Sequence, residues 1–421
     1  MQMIEVPLWY LCSCNDESLS ENTDKNKVIK YIDISSVSLV NGIEQTELFV
    51  FGTAPSRARR IVRSGDILVS TVRTYLRAIA LVPKEYDGCV ASTGFAVLRA
   101  KGSCSSRFLH WLLKSDDVIN KIMILSKGQN YPSITAEDLL NIRIRMPLEI
   151  EDQERIANYL ECKLSLIDEN IENKVKICTK LREYRQSLIT RIVTKGLNPD
   201  VKLCDSGVVW MGKIPQHWSV CAVKWLTDIT SGGTPDRTNK EYWTPGTIPW
   251  IKTGELQNNT ITESEEKISL LGMKNSAAKL FPVETLLVAM YGATRGMTGL
   301  LQIPATTNQA CAALMIKKQE NRIIPNYLQY VFMAGCDFVR QKAVGAGQPN
   351  LSLDLIANLK VPVPPFEEQE LIVKRLRDEC ERVDDTIVKV TDVISKLSEY
   401  RLSLIADVLA GKGMAKGVSH V

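Results

Sequence analysis

KLREYRQSLI (Lys180 to Ile189) returns as KLSEYRLSLI (Lys396 to Ile405), with eight of ten residues identical at an offset of 216. The same offset carries EDQE (Glu151 to Glu154) onto EEQE (Glu367 to Glu370). It also pairs Ile156 with Ile372, Leu160 with Leu376, Asp168 with Asp384 and Ile171 with Ile387. A match held in register over about 40 residues is a duplication. Upstream the offset becomes 217, where PSITAEDLLNIRI (Pro132 to Ile144) meets PNLSLDLIANLKV (Pro349 to Val361), so one residue was gained or lost between the copies. The period is far longer than the roughly 20 to 50 residues of a solenoid repeat. The expectation is a pseudo-two-fold protein whose function needs two similar sites held apart.

Working outward, each copy reads as a long helix. Leu160, Ile167, Lys174, Leu181 and Leu188 recur every seven residues, interleaved with Leu164, Ile171, Cys178, Arg185 and Ile192. That is an a/d seam. The second copy offers Leu376, Val383, Val390, Leu397 and Leu404, interleaved with Cys380, Ile387, Ile394, Arg401 and Val408. Pairing of the two helices is assigned to Leu160, Ile167, Leu181 and Leu188 against Leu376, Val383, Leu397 and Leu404. Arg185 and Arg401 interrupt the same seam position in both copies, either fixing register or partner docking, or snorkelling out of the seam. Proline-bearing stretches precede both helices, acids fill their first turns as the dipole favours, and Gly196 and Gly411 stop them.

Between the helices lie short β-rich runs, GDILVSTV (Gly65 to Val72), AIALV (Ala78 to Val82) and TLLVAM (Thr285 to Met290), punctuated by Gly and Pro. The fold class is therefore α+β: two globular domains joined by two long antiparallel coiled-coil helices, pseudo-two-fold symmetric. The expected segments are a first domain at 1–148, a central helix at 149–196, a second domain with its connector at 197–363, and a C-terminal helix and tail at 364–421.

Composition is ordinary for a globular protein of 421 residues, 45% hydrophobic and 24% charged. Eleven cysteines without C-x-x-C spacing point to reduced thiols in a cytoplasmic protein. The N-terminal residues lack the basic start of a signal peptide. The uncharged run Gly296 to Ile316 is interrupted by Gln302, Pro304, Asn308 and Gln309 and reads as buried strands and a turn, not a membrane span. A net charge of +4 excludes a polybasic arm, so distribution matters more than total. Six arginines (57, 59, 60, 63, 73 and 77) stand against one acid, Asp66, between Arg57 and Arg77.

Catalytic machinery is missing. GVVWMGKI (Gly207 to Ile214) fits G-x-x-x-x-G-K but ends in Ile214 where a metal-binding Ser or Thr belongs. PPF (Pro364 to Phe366) follows Val363 where an adenine-methylating motif carries an acid or amide. Three histidines, His110, His217 and His420, are too few and too dispersed for a metal cluster. No catalytic, cofactor-binding or metal-ligating residue is assigned.

The chain resembles the specificity (S) subunits of type I restriction-modification systems over nearly its whole length. The carrying residues are the duplicated EDQE/EEQE and KLxEYRxSLI, the connector DSGVVWMGKIPQHW (Asp205 to Trp218), SGGTPDRTNKEYW (Ser231 to Trp243), IPWIKTGEL (Ile248 to Leu256), AMYGATRG (Ala289 to Gly296) and TNQAC (Thr307 to Cys311). The resemblance implies two target recognition domains, each reading one half of a split double-stranded DNA site. It also implies two methyltransferase subunits and two restriction subunits as partners. S-adenosylmethionine then belongs to the methyltransferase and ATP with Mg²⁺ to the restriction subunit, with no cofactor in this chain. The first domain opens abruptly at VPLW (Val6 to Trp9), the second has the longer IPQHW, and the domains share little sequence, so different half-sites are expected.

Candidate DNA contacts in the first domain are Arg57, Arg59, Arg60, Arg73, Tyr75 and Arg77, whose guanidiniums can neutralise phosphates or pair bidentately with guanine. The alternative is a solvated basic surface. GQNYPS (Gly128 to Ser133) and GQPN (Gly347 to Asn350) occupy matching positions. Gln129, Asn130, Tyr131, Gln348 and Asn350 there suit adenine edges, or form turns capping the next helix. In the second domain the candidates are Lys252, Thr253, Tyr291, Arg295, Asn308 and Gln309; the last two can instead satisfy buried backbone.

Overall fold

The computed structural model describes residues 2–38, 41–129, 131–317, 322–341 and 350–412. Two helices, α1 (Ser106–Leu113) and α2 (Ile150–Lys195), belong to the first copy of the repeat, and α3 (Pro325–Gln341) and α4 (Phe366–Leu409) to the second. The heptad-patterned segments are α2 and α4, 46 and 44 residues long. Each ends at the expected glycine in a left-handed conformation, Gly196 at φ 74° and Gly411 at φ 79°. Glycine meets no Cβ penalty there, and the turn closes the last carbonyls.

By contacts the chain divides into two compact units, Met1–Lys174 with Asp392–Val421, and Val175–Thr391. Each therefore combines one globular domain with the near part of one long helix and the far part of the other, and the two helix segments run antiparallel. In the first unit a four-stranded sheet has the order β1 (Cys12–Cys14), β4 (Phe95–Ala100), β2 (Ile67–Ser70), β3 (Ile79–Leu81). In the second unit the order repeats as β5 (Thr227–Ser231), β8 (Cys311–Ile316), β6 (Leu286–Ala289), β7 (Thr298–Leu301), extended by residues Asn259–Ile261. The central strands β2 and β6 are buried along their whole length, as continuous apolar runs demand.

The repetition reaches individual registers. Ile67 faces Leu81 across β2 and β3, and Leu286 faces Leu300 across β6 and β7. Parallel pairing of Tyr31 with Val90 matches that of Trp250 with Thr306. The closing antiparallel pair Met3 with Pro147 matches Ser219 with Val363. The two domains, which share little sequence, are thus two copies of one fold. The uncharged run after Gly296 supplies β7, a short strand at Thr306–Thr307 and β8, as its reading as buried strands required. No helix among the described residues is long and apolar enough to cross a membrane.

In the first unit the main core joins α1 to Ile156, Leu160, Leu164 and Ile167 of α2 and to Leu404, Ile405, Val408 and Leu409 of α4. In the second, the main core joins α3 to Leu188, Ile189, Ile192 and Val193 of α2 and to Ile372, Val373, Leu376 and Cys380 of α4. Burying each such Leu or Ile side chain contributes about 1.5–3 kcal/mol.

The glutamine of EDQE and EEQE is a latch. Gln153 is fully buried, accepts from the Ser105 N–H at 2.9 Å and donates to the carbonyls of Ser103 and Pro147. Gln369 repeats this pattern, accepting from the Ile324 N–H at 2.9 Å and donating to Arg322 and Pro364. Each fastens the start of a long helix to the segment leading into α1 or α3.

Candidate nucleic-acid interface

Strand β2 leaves the core at Ser70 and returns as β3 at Ile79, and the connection forms a tip. Arg73 and Arg77 bracket the 3₁₀ turn Thr74–Leu76, both with φ of 52°. Backbone bonds clamp the tip to the segment 126–134. The Thr71 carbonyl accepts from Ile134 N–H at 2.9 Å, and the Arg73 N–H donates to the Pro132 carbonyl at 2.8 Å. The Thr74 and Ser126 hydroxyls meet at 2.9 Å.

This brings together residues that the sequence had set apart. The Arg73 guanidinium lies over the Tyr131 ring, 5.0 Å from its centroid. Tyr131 is 65% exposed and Tyr75 50%. Gln129, also exposed, precedes them on the clamped segment, while Asn130 lies outside the described residues. Arg77 is partly spent on Asp116, 3.0 Å away. Arg57 joins the same end of the sheet through one turn: its carbonyl accepts from the Thr93 N–H, and the neighbouring Gly94 carbonyl accepts from the Thr71 N–H, both at 2.8 Å. Arg59 instead stacks on Phe51, 4.9 Å from the centroid, and Arg60 is half-buried. Arg63 and Arg99 are internally neutralised: their hydrogen bonds, Arg63 first, hold the Glu17 carboxyl down at about 2.

The second unit carries an equivalent tip between β6 and β7. The Met290 carbonyl accepts from Leu351 N–H at 3.0 Å, the counterpart of the Thr71 bond, and Gly292 and Gly296 take the left-handed positions of Arg73 and Arg77, with φ of 77° and 80°. Tyr291 is 39% exposed and Arg295 half-buried, its carbonyl accepting from the Arg340 guanidinium at 2.7 Å. Thr253 joins them, its carbonyl accepting from the Thr294 hydroxyl at 2.8 Å. The Asn308 side chain accepts from the Ala310 N–H at 3.1 Å, and Gln309 accepts from the Thr234 hydroxyl. Asn350 is exposed beside this tip, and Gln348 lies outside the described residues. Downstream of both matching loops a hydroxyl caps a short helix: Thr135 caps Ala136–Leu140 and Ser352 caps Leu353–Asn358.

Lys252 sits in an acidic clamp, 2.8 Å from Glu265 and 3.0 Å from Glu266, which raises its ammonium to about 12. The neighbouring Arg237 is not among the candidates that the sequence offers. Its guanidinium lies 3.8 Å from the Trp243 centroid and 4.8 Å from that of Trp250, ion-pairs with Glu266 at 2.6 Å, and keeps half of its side chain exposed. A basic residue followed by two tryptophans was the available signal.

Of the residues assigned to helix pairing, Leu160, Ile167 and Leu404 lie in the first unit's core and Leu188 and Leu376 in the second's. Val383 is buried, while Leu181 and Leu397 are half-buried. The two seam arginines are neither idle nor simply snorkelling. Arg401 reaches Asp168 at 2.8 Å in the first unit, and Arg185 reaches Asp384 at 3.4 Å in the second. These are the same pair in both copies, with the roles of the helices exchanged.

The sequence matches the family described as type I restriction modification DNA specificity domain over residues 13–177 and again over 215–387. Among characterised relatives, the HindI specificity subunit of Haemophilus influenzae is 23% identical over 381 residues, 76% of this chain and 78% of that protein. The MjaIX specificity subunit of Methanocaldococcus jannaschii is 30% identical over 167 residues, so the matched part spans only 38% of either protein. A chain from the structure described as "Structural basis underlying complex assembly and conformational transition of the type I R-M system" superposes with a TM-score of 0.80 at 22% identity, covering 97% of this chain and 98% of that one. The HsdS subunit from Thermoanaerobacter tengcongensis does so with a TM-score of 0.59, also at 22% identity, covering 97% of each chain. At these identities the structures show a common fold. With both halves matched, the chain belongs to the type I restriction modification DNA specificity domain family.

Proposed function

We propose that this chain is the non-catalytic recognition subunit of a type I restriction-modification complex, each globular domain reading one half of a bipartite double-stranded DNA site. Residues 1–148 and 197–363 form the recognition domains in this reading, and the helices at 149–196 and 364–421 set the spacer. The helices also carry two methyltransferase subunits and two restriction subunits. Adenine methylation with S-adenosylmethionine, and ATP with Mg²⁺, belong to those partners. The observation that carries the reading is the repeated tip: one backbone shape at the same end of each sheet presents Arg73, Tyr75 and Arg77 in the first domain and Tyr291 and Arg295 in the second. Identical scaffolds with different side chains suit two different half-sites, because base edges are read by side-chain donors and acceptors while backbone contacts only position the protein.

Two incubations test this. The purified chain with DNA and S-adenosylmethionine is expected to methylate nothing. With the methyltransferase partner added, mapped methyl-adenines are expected in a single split motif. Methylation by the chain alone, or scattered methylation in the complex, contradicts the reading.

A further inference from the structure

The two tips differ in a way that selects one side chain. At the first left-handed position the second unit has Gly292, φ 77°, and the first unit has Arg73, φ 52°. A left-handed backbone is nearly free for glycine and strained for any residue with a Cβ. The second unit shows that the fold accepts glycine at this place, and nothing around Gly292 approaches within 4 Å of where its Cβ would stand. The arginine is therefore not needed to build the tip. What the first unit gains from it is a guanidinium stacked on Tyr131 at 5.0 Å, itself 65% exposed, on a loop pinned by the Arg73 N–H bond to Pro132. Arg77, the other strained arginine, is paired with Asp116 and is less available.

We propose that Arg73 is a specificity-determining residue of the first domain, its Tyr131-stacked guanidinium reading a guanine edge through the two acceptors O6 and N7. This deepens the recognition function proposed above and rests on it. A guanidinium held over an aromatic ring on a clamped loop is pre-positioned, which favours a bidentate base contact and is not needed for a phosphate contact. Strain retained at such a position is accounted for by the projection of the side chain. The glycine at 292 shifts the equivalent duty in the second domain to the flanking Tyr291 and Arg295.

The test uses the full chain with its methyltransferase partner and a pool of duplexes of random sequence, the retained pool being sequenced. Three proteins are compared: wild type, Arg73→Gly and Arg73→Lys. Wild type is expected to fix a guanine at one position of one half-site. Arg73→Gly is expected to lose that preference alone, with affinity down about 10- to 100-fold and the other half-site unchanged, while its denaturation midpoint rises because the strain is gone. Arg73→Lys keeps the charge and the strain but not the planar fork, and is expected to recover affinity without the guanine. Overturning results are an unchanged motif in Arg73→Gly, which marks at most a phosphate contact, full recovery of the motif in Arg73→Lys, which shows that the planar fork is not what reads the base, or a lowered midpoint in Arg73→Gly, which marks a structural role. A wild-type pool with no common motif instead overturns the recognition function itself, and this inference with it.

Discussion

The buried glutamines show how much one side chain can organise. Gln153 satisfies one N–H and two carbonyls, the bonds to the Ser105 N–H and the Pro147 carbonyl being buried. Gln153→Ala leaves the buried Ser105 N–H and Pro147 carbonyl unpaired and is expected to cost on the order of 2–4 kcal/mol, read from the denaturant midpoint of the full chain. A loss below about 1 kcal/mol contradicts the latch. Lys114 gives a pH-dependent counterpart. Burial, and then the Arg401 guanidinium, push its ammonium down to about 8, against the opposing pull of Asp168. The adjacent half-buried His110, pushed down to about 3 by desolvation, stays neutral and offers no charge. The unfolded lysine holds its proton to about 10.5, so between about 8 and 10.5 the unfolded chain binds more protons and stability rises with pH. Below about 8 the folded protein carries the half-buried ammonium at full cost. Lys114→Met, which installs the residue found at the corresponding Met333, is expected to abolish that rise and to stabilise the protein at pH 7 by on the order of 2 kcal/mol. A parallel pH profile for wild type and variant contradicts this.

At the scale of elements, the long helices were legible because their signals are local and duplicated: a seven-residue apolar repeat, acids at the start and a glycine at the stop. The strands were legible as short apolar runs. The equivalence of the two globular domains was not. STVRTYLRA (Ser70 to Ala78) and AMYGATRGM (Ala289 to Met297) share no identical residue in register, since the tip requires only two left-handed positions after a buried strand. The candidate site was partly legible for a related reason. Arg73 and Tyr131 are each candidates in the sequence, but their contact is not, since it depends on the bonds from Ser126, Pro132 and Ile134 to the tip. Lys252 reads as a candidate DNA contact in the sequence because Glu265 and Glu266 reach it only through strand pairing, Glu266 lying on the strand opposite Ile248–Ile251 and Glu265 just before it. The seam arginines carry a prediction at this scale. Arg401 is 13% exposed and meets Asp168 at 2.8 Å, whereas Arg185 is 29% exposed and meets Asp384 at 3.4 Å. Arg401→Leu is expected to cost roughly 1–2 kcal/mol and Arg185→Leu less than about 1, exposed partners and solvent screening limiting both. Equal losses by denaturant titration contradict the ranking.

For the whole molecule the duplication has a concrete consequence. A chain ending at Leu203 loses Leu404, Ile405, Val408 and Leu409, which close the first unit's core. At the offset of 216 their counterparts are Leu188, Ile189, Ile192 and Val193, retained in the shortened chain and there deprived of the second unit's core. A second copy can supply these residues to the first, and the reverse, in a self-complementary two-fold interface of the kind closed dimers use. Asp168 then pairs with Arg185 of the other copy, as Arg401 does within the intact chain. The most direct test of the central claim, that this is one recognition fold used twice, is the methylation map of this half-chain with the methyltransferase partner, its mass checked by light scattering. The expected result is a dimer that methylates a palindrome built from two inverted copies of the first half-site. A monomer, or a dimer still confined to the asymmetric site of the full chain, contradicts it.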